Sequence, residues 1–397
     1  MISVEQAFEE IVGNAIPLQT ELLPLAQASG RVLATALKAR RSQPGCDISA
    51  MDGYAICSSD LTGKEVSLSL IGESAAGDPF PGTLMAGQTV RIFTGAAVPS
   101  GADQIVIQEN TGPTDNGIFT DDTPQVGKHI RQAGYDFGEG QTVMEVNSYL
   151  SPKSLGVIAS AGYSHVMVYR APTVAILATG DELTSPDQTD FLPHQTVNST
   201  VPQIEALVSD VGGHPTNLGQ AQDSEQSLRD AIQQGNSADI LVTIGGASVG
   251  DKDFMQKALS DEGMTLNFWK VAMKPGKPLI FGKRGNQYVL GLPGNPASAF
   301  VCALIFLRPL IDRLMGRPAP LPAGVNIPLA TNLPSNGPRQ EYMRARLVGI
   351  PGERRVDPAT SQDSGHLSVL AHCDGLIIRK PFAEPVEAGS VVPFLPF

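Results

Sequence analysis

The stretch that decides the fold is Asp239–Phe254, with the sequence DILVTIGGASVGDKDF. The apolar run Ile240–Ile244 predicts a buried strand, and the two glycines after it predict a tight turn. Ligands of open α/β sheets collect at such turns, because glycines let backbone N–H groups approach an oxyanion. Asp251 and Asp253 follow at a spacing that suits a hard cation such as Mg²⁺ bridging to a phosphate. The alternative is an ordinary surface turn with solvated acids.

Length and composition describe a soluble globular protein of several domains. A chain of 397 residues is too long for one ordinary core and predicts two to four domains. The 42% hydrophobic and 17% charged content is typical of a folded protein. The net charge of −12 argues against nucleic-acid binding, which needs a basic surface. A small phosphorylated substrate needs only a local cluster of Lys and Arg.

Cysteine usage and apolar runs indicate the compartment. The four cysteines, Cys46, Cys57, Cys302 and Cys373, lie far apart and form neither a disulfide framework nor a zinc ribbon. Reduced thiols in a cytoplasmic compartment are the simplest interpretation. The first residues carry acids and no basic segment, which is not typical of a signal peptide. The longest apolar run, Ala297–Leu307, is too short to span a bilayer, so we expect no membrane contact.

The first 171 residues show two patterns, one of mixed helices and strands and one of short strands. Ser3 and Gln6 form a capping box for an amphipathic helix, and a strand (Glu21–Leu25) and a short helix (Gly30–Leu37) follow. Short alternating runs separated by Gly, Pro and Asp then predict a small β-rich domain. These runs are Val66–Gly72, Thr89–Gly95 and Gln104–Asn110. A helix (Leu155–Ala161) and a strand (Met167–Arg170) are predicted before the texture changes again.

From Pro172 onward, predicted strands alternate with predicted helices. The strands are Val174–Ala178, Asn217–Ala221, Ile240–Ile244, Leu266–Val271, Pro278–Phe281 and Tyr288–Leu290. The helices are Asn198–Val211, Ser224–Gln233 and a long apolar one from Pro296 to Leu314. This alternation predicts an α/β domain with a doubly wound, mainly parallel sheet.

The proline-rich segment Arg317–Pro328 predicts a linker, and the short runs after it predict a small β-barrel or sandwich. We therefore expect four domains. They are a discontinuous elongated domain (1–45 and 147–171), a β-rich domain (46–146), the α/β domain (172–316) and a C-terminal β-barrel (317–397).

Acidic residues follow three strands of the predicted sheet. Asp181 and Glu182 follow one strand, Asp223 follows a second, and Asp251 and Asp253 follow the third. Solubility alone does not require this placement, and such strand ends are where a ligand crevice is expected. Two alternatives stay open. Asp223 could be a helix N-cap, and Asp181 could cap its own turn.

Two loops bring the complementary groups. The loop KPGKP presents Lys274 and Lys277 toward an anion, unless they are solvated lysines on a hairpin. Gly291–Ser298, GLPGNPAS, feeds the N-terminus of the long helix, which attracts phosphate. Asn295 with Pro296 is equally typical of a purely structural helix cap. Acids, lysines and glycine turns together indicate phosphoryl or nucleotidyl chemistry on a bulky phosphorylated ligand.

Six motifs occur together along nearly the whole chain. They are SAMDGYA (49–55), RIFTGAAVPSGADQIVIQE (91–109), ATGDEL (178–183), GGASVGDKD (245–253), MKPGKP (273–278) and GLPGNPASA (291–299). In order and spacing the chain resembles the molybdopterin molybdenumtransferases, a family that includes the C-terminal domain of the scaffold protein gephyrin.

The resemblance implies a four-domain, L-shaped subunit in an elongated homodimer. It implies insertion of molybdate into the dithiolene of adenylylated molybdopterin, with release of AMP in a Mg²⁺-dependent step. The sheet domain of one subunit is then expected to face the SAMDGYA segment of the other. Contacts with molybdopterin adenylyltransferase and with molybdoenzyme chaperones are implied as well.

Residue by residue, the resemblance also implies a site. The residues expected to carry the chemistry are Asp52, Thr94, Glu182, Asp223, Asp251, Lys274 and Lys277. Those expected to contact substrate are Arg131, Asp136, Gly245, Gly246, Ser248, Gly250, Pro293, Gly294, Asn295, Ser364 and Ser368. Glu182, Asp223 and Asp251 are the expected metal ligands. The two lysines are expected to hold phosphate or molybdate, and Asp52 and Thr94 to enter the cleft from the partner subunit.

Three departures from the family pattern stand out. Cys46 occupies a position where an aromatic residue is usual, and Ile244 replaces a small polar residue. The Thr184–Val197 loop lacks the usual glycine-rich form, which bears on substrate handling. None of these changes removes a charged residue of the expected site.

Two other functions compete with this interpretation. Free-standing proteins that resemble Pro172–Gly316 are molybdopterin adenylyltransferases or nucleotide hydrolases, but the retained regions Met1–Tyr169 and Leu321–Phe397 argue against that function here. A non-catalytic scaffold that binds partner peptides is the second alternative, and the intact acids and lysines argue against it.

Overall fold

The computed structural model describes residues 1–246 and 254–397. The chain forms two compact units, Met1–Glu21 with Tyr169–Phe397, and Leu22–Val168. Both contain sheets, and the larger unit also carries most of the helices, so the protein is a mixed α/β multidomain chain. The strands Thr20–Pro24 and His165–Tyr169 lie where the chain passes from one unit to the other.

The main sheet of the larger unit has six strands. Their order is His214–Ala221, Thr173–Thr179, Ile240–Ile244, Gln287–Leu292, Ile280–Arg284 and Thr265–Phe268. The first four strands are parallel to one another. Ile280–Arg284 is antiparallel to Gln287–Leu292, and Thr265–Phe268 is antiparallel to Ile280–Arg284. All five residues of the central strand, Ile240–Ile244, are buried. A strand of a parallel sheet is apolar throughout when helices cover both faces.

Alternate side chains of the strand Thr173–Thr179 enter two different cores. Val174 and Ile176 pack with the helix Thr200–Asp210 and with the helical run 296–314. Leu177, on the opposite face, packs with the helices Glu225–Gln234 and Phe254–Asp261. This two-residue alternation places helices on both faces of the sheet.

Two helical segments differ in detail from the prediction. The predicted helix from Pro296 to Leu314 is helical throughout, but it consists of Pro296–Cys302, a π segment Ala303–Leu307, and Arg308–Leu314. Pro309 lacks the N–H that would bond to the carbonyl four residues earlier, and the π segment ends just before it. The N-terminal helix, Val4–Phe8, shows both bonds of the predicted capping box and continues as a π segment, Glu9–Gly13.

The second sheet of the larger unit lies toward the C-terminus. Its strands, in order, are Met273–Lys274, Gln340–Val348, Gly375–Arg379, Val391–Pro396 and Val325–Pro328, and Arg355–Pro358 pairs with the second of them. A bridge between Leu329 and Val356 continues the pairing from the last strand to Arg355–Pro358. A short helix, Leu367–Ala371, precedes Gly375–Arg379.

The predicted linker Arg317–Pro328 is wrong at both ends. Arg317 donates to the Val211 carbonyl and to Asp312, so it belongs to the α/β layer. Val325–Pro328 is a strand because its backbone pairs with Val391–Pro396. Residues 317–324 carry no regular secondary structure, although Arg317 is tied to the α/β layer by its bonds to Val211 and Asp312. Proline therefore marked the segment correctly but did not exclude an edge strand.

The smaller unit contains a third sheet, as its alternating runs predicted. Its strands, in order, are Gln104–Ile107, Gly53–Ile56, Gln88–Ile92, Val66–Ser74, Gly117–Thr120 and Gly112–Thr114. Two ribbons pair Ile48–Ser49 with Ile130–Arg131 and Leu37–Lys38 with Thr142–Met144. The predicted helix at Leu155–Ala161 is confirmed as Pro152–Ser160.

The predicted helix Gly30–Leu37 is wrong. Gly30 has a φ of 79°, and its N–H donates to the Leu150 carbonyl. Val32 and Leu33 form bridges to Tyr149 and Val168, and both are buried. These long-range backbone bonds replace the bonds within a helix, so tertiary pairing overrides the local helical pattern.

None of the helices in the described ranges is long and apolar enough to cross a lipid bilayer.

Candidate functional site

A cavity of about 530 Å³ lies at the carboxyl ends of the parallel strands in the larger unit. Thr179 and Glu182 border it after one strand, Gly245 after the central strand, and Gly294 after the strand Gln287–Leu292. Asp223 borders it from the adjoining strand end. The cavity therefore occupies the crevice where ligands of open α/β sheets bind.

Two glycine turns form the floor of this cavity. Gly245 has a φ of 95°, and a Cβ there would lie 2.6 Å from the Thr179 carbonyl oxygen. A Cβ on Gly294 would lie 3.5 Å from the Gly245 Cα, and the Gly245 N–H donates to the Leu292 carbonyl at 3.2 Å. The two turns are in contact, and at Gly245 only glycine fits both the conformation and the space. Gly246, at a φ of 62°, also borders the cavity.

Among the described residues, Glu182 and Asp223 are the acids that border the cavity. Their neighbour Asp181 has a structural role, since its Oδ1 accepts from the Asp223 N–H at 3.1 Å and so ties two strand ends together. The alternative that Asp223 caps a helix is wrong. Ser224 is the N-cap of Glu225–Gln234, and its side chain accepts from the Ser227 N–H.

The predicted metal site can be tested only in part. Glu182 and Asp223 offer the carboxylate oxygens that Mg²⁺ prefers, and they border one cavity. The predicted residues Ser248, Gly250 and Asp251 lie outside the described residues, as does Asp253. Within 1–246 and 254–397, no three His, Cys, Asp or Glu side chains cluster closely enough to hold a metal. The donor types fit Mg²⁺, and the two acids alone do not complete a site.

Asn295 is at the N-cap of the helix beginning at Pro296, but its side chain makes no capping hydrogen bond. Its Oδ1 is buried with no hydrogen-bond partner among the described residues. Asn295, Gly294 and Pro293 all border the cavity. A buried acceptor without a partner costs free energy, so the side chain fits a ligand-binding role better than a structural cap.

Replacing Asn295 by alanine is therefore expected to leave stability within about 0.5 kcal/mol of the parent, because no cap bond is lost. Ser224→Ala is the matched control. It removes a side chain that does cap a helix, and should cost about 1 kcal/mol. Urea unfolding of both variants checks the stability, and the KM for the molybdopterin substrate that the sequence resemblance implies checks binding. A drop in stability for Asn295→Ala as large as that for Ser224→Ala would contradict this assignment.

Sequence reasoning missed the side of the cavity formed by the start of the helix Thr200–Asp210. The strand Leu183–Thr184 pairs in parallel with Thr196–Val197, across the loop that departs from the family pattern. This pairing brings Thr196, Asn198 and Thr200 to the cavity. No local signal announces a two-residue parallel pair, so these residues could not be found from the sequence.

The two predicted lysines do not border the cavity. Lys274 lies in the strand Met273–Lys274 of the C-terminal sheet, and its Nζ forms an ion pair with Glu341 at 3.0 Å. Lys277 is exposed and directly precedes Pro278, which borders the cavity. Lys277 therefore lies next to a cavity residue in the chain, whereas Lys274 is engaged in an ion pair with Glu341.

In the smaller unit, Asp52 and Thr94 are brought together. The Thr94 N–H and hydroxyl both donate to Asp52 Oδ1, at 2.7 and 2.8 Å. These bonds hold the pKa of the exposed Asp52 carboxyl below its ordinary value, and the backbone bond has the larger effect of the two. Gly53 is required next to it, because a Cβ there would lie 2.0 Å from the Val106 carbonyl oxygen.

Arg131 lies near the same segment. It is opposite Ile48 in a two-stranded ribbon that leads into Asp52. The Asp136 N–H donates to the Gln43 carbonyl at 2.9 Å, and Asp47 Oδ1 accepts from the Ala133 N–H at 2.8 Å. Asp47 therefore stabilises the loop between Arg131 and Asp136, a role that sequence reasoning did not assign.

Ser364 lies in a segment held by a buried arginine. Arg344 is 2% exposed, and its guanidinium donates to the carbonyls of Ser361, Asp363 and His366. Ser368 lies in the short helix that follows. Sequence reasoning missed Arg344, because nothing in the chain pattern connects it with a loop some twenty residues later.

Taken together, the cavity combines two glycine turns with two carboxylates and the start of a helix. These groups are of the types that suit a phosphorylated ligand and a metal ion. The larger unit thus contains an α/β domain with a ligand-sized cavity at the carboxyl ends of its parallel strands.

Three family models match successive parts of the chain. They are the MoeA N-terminal region (domain I and II) over residues 2–162, a probable molybdopterin binding domain over 175–313, and the MoeA C-terminal region (domain IV) over 326–397. The cavity described above lies within the second of these.

Individual proteins are similar over most or all of their length. A molybdopterin molybdenumtransferase of Haemophilus influenzae is 34% identical over 402 residues, covering 100% of this chain and 99% of its own. One from a Nostoc species is 35% identical over 383 residues, covering 93% and 88%. The crystal structure of a molybdopterin biosynthesis moeA protein from Pyrococcus horikoshii is 25% identical, with a TM-score of 0.86 and coverage of 100% and 99%.

The chain belongs to the molybdopterin molybdenumtransferase (MoeA) family, and the resemblance seen in the sequence is confirmed. It is a transferase of molybdenum cofactor biosynthesis.

Proposed function

We propose that this chain inserts molybdate into the dithiolene of adenylylated molybdopterin and releases AMP. The observation that supports this reaction most directly is the cavity that joins Glu182 and Asp223 to the glycine turns at Gly245 and Gly294. A phosphate-linked pterin needs an oxyanion site and charge neutralisation in one place. The glycine turns supply the first, and the two acids are ligands for a cation that would supply the second.

The phosphate of the adenylylated pterin lies against backbone N–H groups of the two turns. Gly246 and Pro293 complete this surface, and Asn295 supplies an acceptor for a donor group of the ligand. Ser248 and Gly250 are assigned here from the motif alone. The long helix contributes its N-terminal partial positive charge to the same anion.

Glu182, Asp223 and Asp251 would hold Mg²⁺, which supplies charge neutralisation at the phosphate when bound. Their carboxylates fit a hard cation, and two of the three border the cavity.

Molybdate is a dianionic substrate, and cationic side chains are assigned to it. Lys274 and Lys277 neutralise its charge, and Ser364 and Ser368 donate hydrogen bonds. Asp52, Thr94, Arg131 and Asp136 complete the cleft from the partner subunit. Loss of oxo groups as water consumes protons, so the site must supply protons while it positions the dithiolene sulfurs.

We also carry over the rest of the family organisation. The chain forms four domains with the boundaries expected from the sequence, its α/β domain is doubly wound and its C-terminal domain a small barrel. It works as an elongated homodimer in the cytoplasm. Molybdopterin adenylyltransferase and molybdoenzyme chaperones are the protein partners of this proposal. The full-length relatives named molybdopterin molybdenumtransferase disfavour an adenylyltransferase or a pure scaffold.

The direct test is AMP release from purified adenylylated molybdopterin, measured with and without molybdate in the presence of Mg²⁺. We expect release that depends on both ions. If the protein instead adenylylates molybdopterin with ATP and leaves the adenylate intact when molybdate is added, the proposed reaction is wrong.

A subunit-mixing experiment tests the shared cleft. Asp52 and Glu182 lie in different units of the chain, so Asp52→Asn and Glu182→Gln inactivate different halves of the proposed site. Random mixing gives half heterodimers, each with one intact site, and should restore about a quarter of the parent activity. Mixing Glu182→Gln with Asp223→Asn is the control, because both changes lie in the same half. Equal activity in the two mixtures would contradict a shared cleft.

A further inference from the structure

Lys274 is held by a second sheet, not by its own loop. The strand Met273–Lys274 pairs in parallel with the start of Gln340–Val348, and Lys274 lies directly opposite Glu341. The Gln340 N–H donates to the Ala272 carbonyl at 2.9 Å. The backbone register therefore places the two charged side chains next to each other, and their ion pair of 3.0 Å follows from it.

Glu341 is much less exposed than its partner. Its side chain is 16% exposed, against 49% for Lys274. On the opposite side Glu341 lies across from Arg379, whose guanidinium donates to the carbonyls of Pro334, Ala383 and Glu384. Glu341 lies on a nine-residue strand, opposite Lys274 on one side and Arg379 on the other. Its carboxylate is therefore held in one position.

We propose that Glu341 is a positioning residue for Lys274, and that it orients the lysine ammonium group for the anionic substrate. This inference rests on the proposed function, in which Lys274 binds molybdate or phosphate. Lys277, three residues further on, has no ion pair within the described part of the chain and provides an internal comparison.

Two opposing effects decide whether Glu341 strengthens or weakens substrate binding at Lys274. A free lysine side chain loses rotamer entropy when a ligand fixes it, and an ion pair formed in advance removes much of that cost. A carboxylate near the site also repels an anion. That repulsion is small here, because Glu341 already lies between two cations and the lysine is half exposed to water. Orientation therefore outweighs repulsion, and losing Glu341 should weaken substrate binding.

The test uses the full-length protein and molybdate-dependent AMP release. Glu341→Gln keeps the size of the side chain and removes its charge. We expect the KM for molybdate to rise about 5- to 20-fold while kcat changes less than about 2-fold. Glu341→Asp, which keeps the charge but withdraws it by one methylene, should have a smaller effect. Asp357→Asn is the matched control, because Asp357 is an acid of the same sheet that accepts from Thr331 instead of pairing with Lys274.

A double-mutant cycle with Lys274→Ala separates the outcomes. If Glu341 acts through Lys274, Glu341→Gln should have no further effect on the KM once Lys274 is alanine. An unchanged or lower KM in Glu341→Gln, with Lys274→Ala still raising it, would overturn the positioning role alone. A KM that Lys274→Ala leaves unchanged would instead show that the assigned role of Lys274 is wrong. A fall in thermal stability for Glu341→Gln with no change in KM would mean that Glu341 is purely structural.

Discussion

Replacing Glu182 by glutamine, or Asp223 by asparagine, is expected to slow AMP release by a factor on the order of 100 or more. Both side chains border the cavity and both are exposed, so neither is needed for packing. The substitutions keep shape and remove one negative charge each. If the acids hold the cation that neutralises the phosphate, each loss removes transition-state stabilisation and also weakens cation binding.

The dependence on Mg²⁺ concentration identifies the cause. Both variants should require more Mg²⁺ for half-maximal activity, and excess Mg²⁺ should restore part of the rate. Thermal unfolding should match the parent, because exposed substitutions rarely change stability by more than about 0.5 kcal/mol. Asp210→Asn, an exposed acid at the end of the helix Thr200–Asp210, is the control and should keep full activity. Activity above about half of the parent value in either site variant would contradict the proposed role of that acid.

The central strand shows why part of this site could be predicted. Five buried residues in a row define a strand of a covered sheet, and Gly245 has a backbone conformation that other residues rarely adopt. The acids after neighbouring strands then had to meet at one edge, since parallel strands end together. This argument places Glu182 and Asp223 at the crevice without any family resemblance, whereas their role as metal ligands is implied by the resemblance alone.

Other parts depend on contacts that the sequence does not encode locally. Lys274 belongs to a sheet whose partner strand begins 66 residues later, at Gln340, so its ion pair could not be inferred from the loop KPGKP. Asparagine is a residue type common at helix N-caps, and only the geometry shows that the Asn295 side chain makes no capping bond. Gly30–Leu37 fitted a helical pattern, but pairing with distant strands determined its conformation.

A second large effect, on stability, is expected at the amino-terminal ends of the strands of the same sheet. Asp239 lies directly before the central strand, and its carboxylate accepts two bonds from Arg170, at 2.7 and 2.8 Å. It also accepts from the N–H and the hydroxyl of Thr173, at 2.8 and 2.9 Å. One carboxylate thus joins the starts of two adjacent strands, far along the strands from the cavity.

Asp239→Ala should therefore lower the free energy of unfolding by about 2–4 kcal/mol and leave the KM values unchanged. This is somewhat less than the roughly 3–5 kcal/mol for a broken buried pair, because the Arg170 side chain keeps 33% of its surface exposed. Asp261→Ala is the matched control. It breaks an ion pair with Arg229 in which both side chains are 37% exposed, and should cost less than about 1 kcal/mol. Urea unfolding of the two variants at pH 7 makes the comparison, and equal losses would show that the Asp239 network contributes nothing beyond a surface pair.

The difference in stability between the parent and Asp239→Asn should depend on pH, and the direction of that dependence follows from the pKa of Asp239. Burial alone would raise the pKa of Asp239, but the hydrogen bonds from Arg170 and Thr173 outweigh it and lower the pKa below the ordinary value. A carboxyl whose pKa is lower in the folded state stabilises fully above its unfolded pKa of about 3.9, and loses that contribution as the pH falls through the folded value. The stability gap between the parent and Asp239→Asn should therefore be constant from pH 5 to 8 and should narrow below about pH 4. Asparagine cannot titrate, so a gap that stays constant down to pH 3 would mean that the charge of Asp239 does not carry the effect.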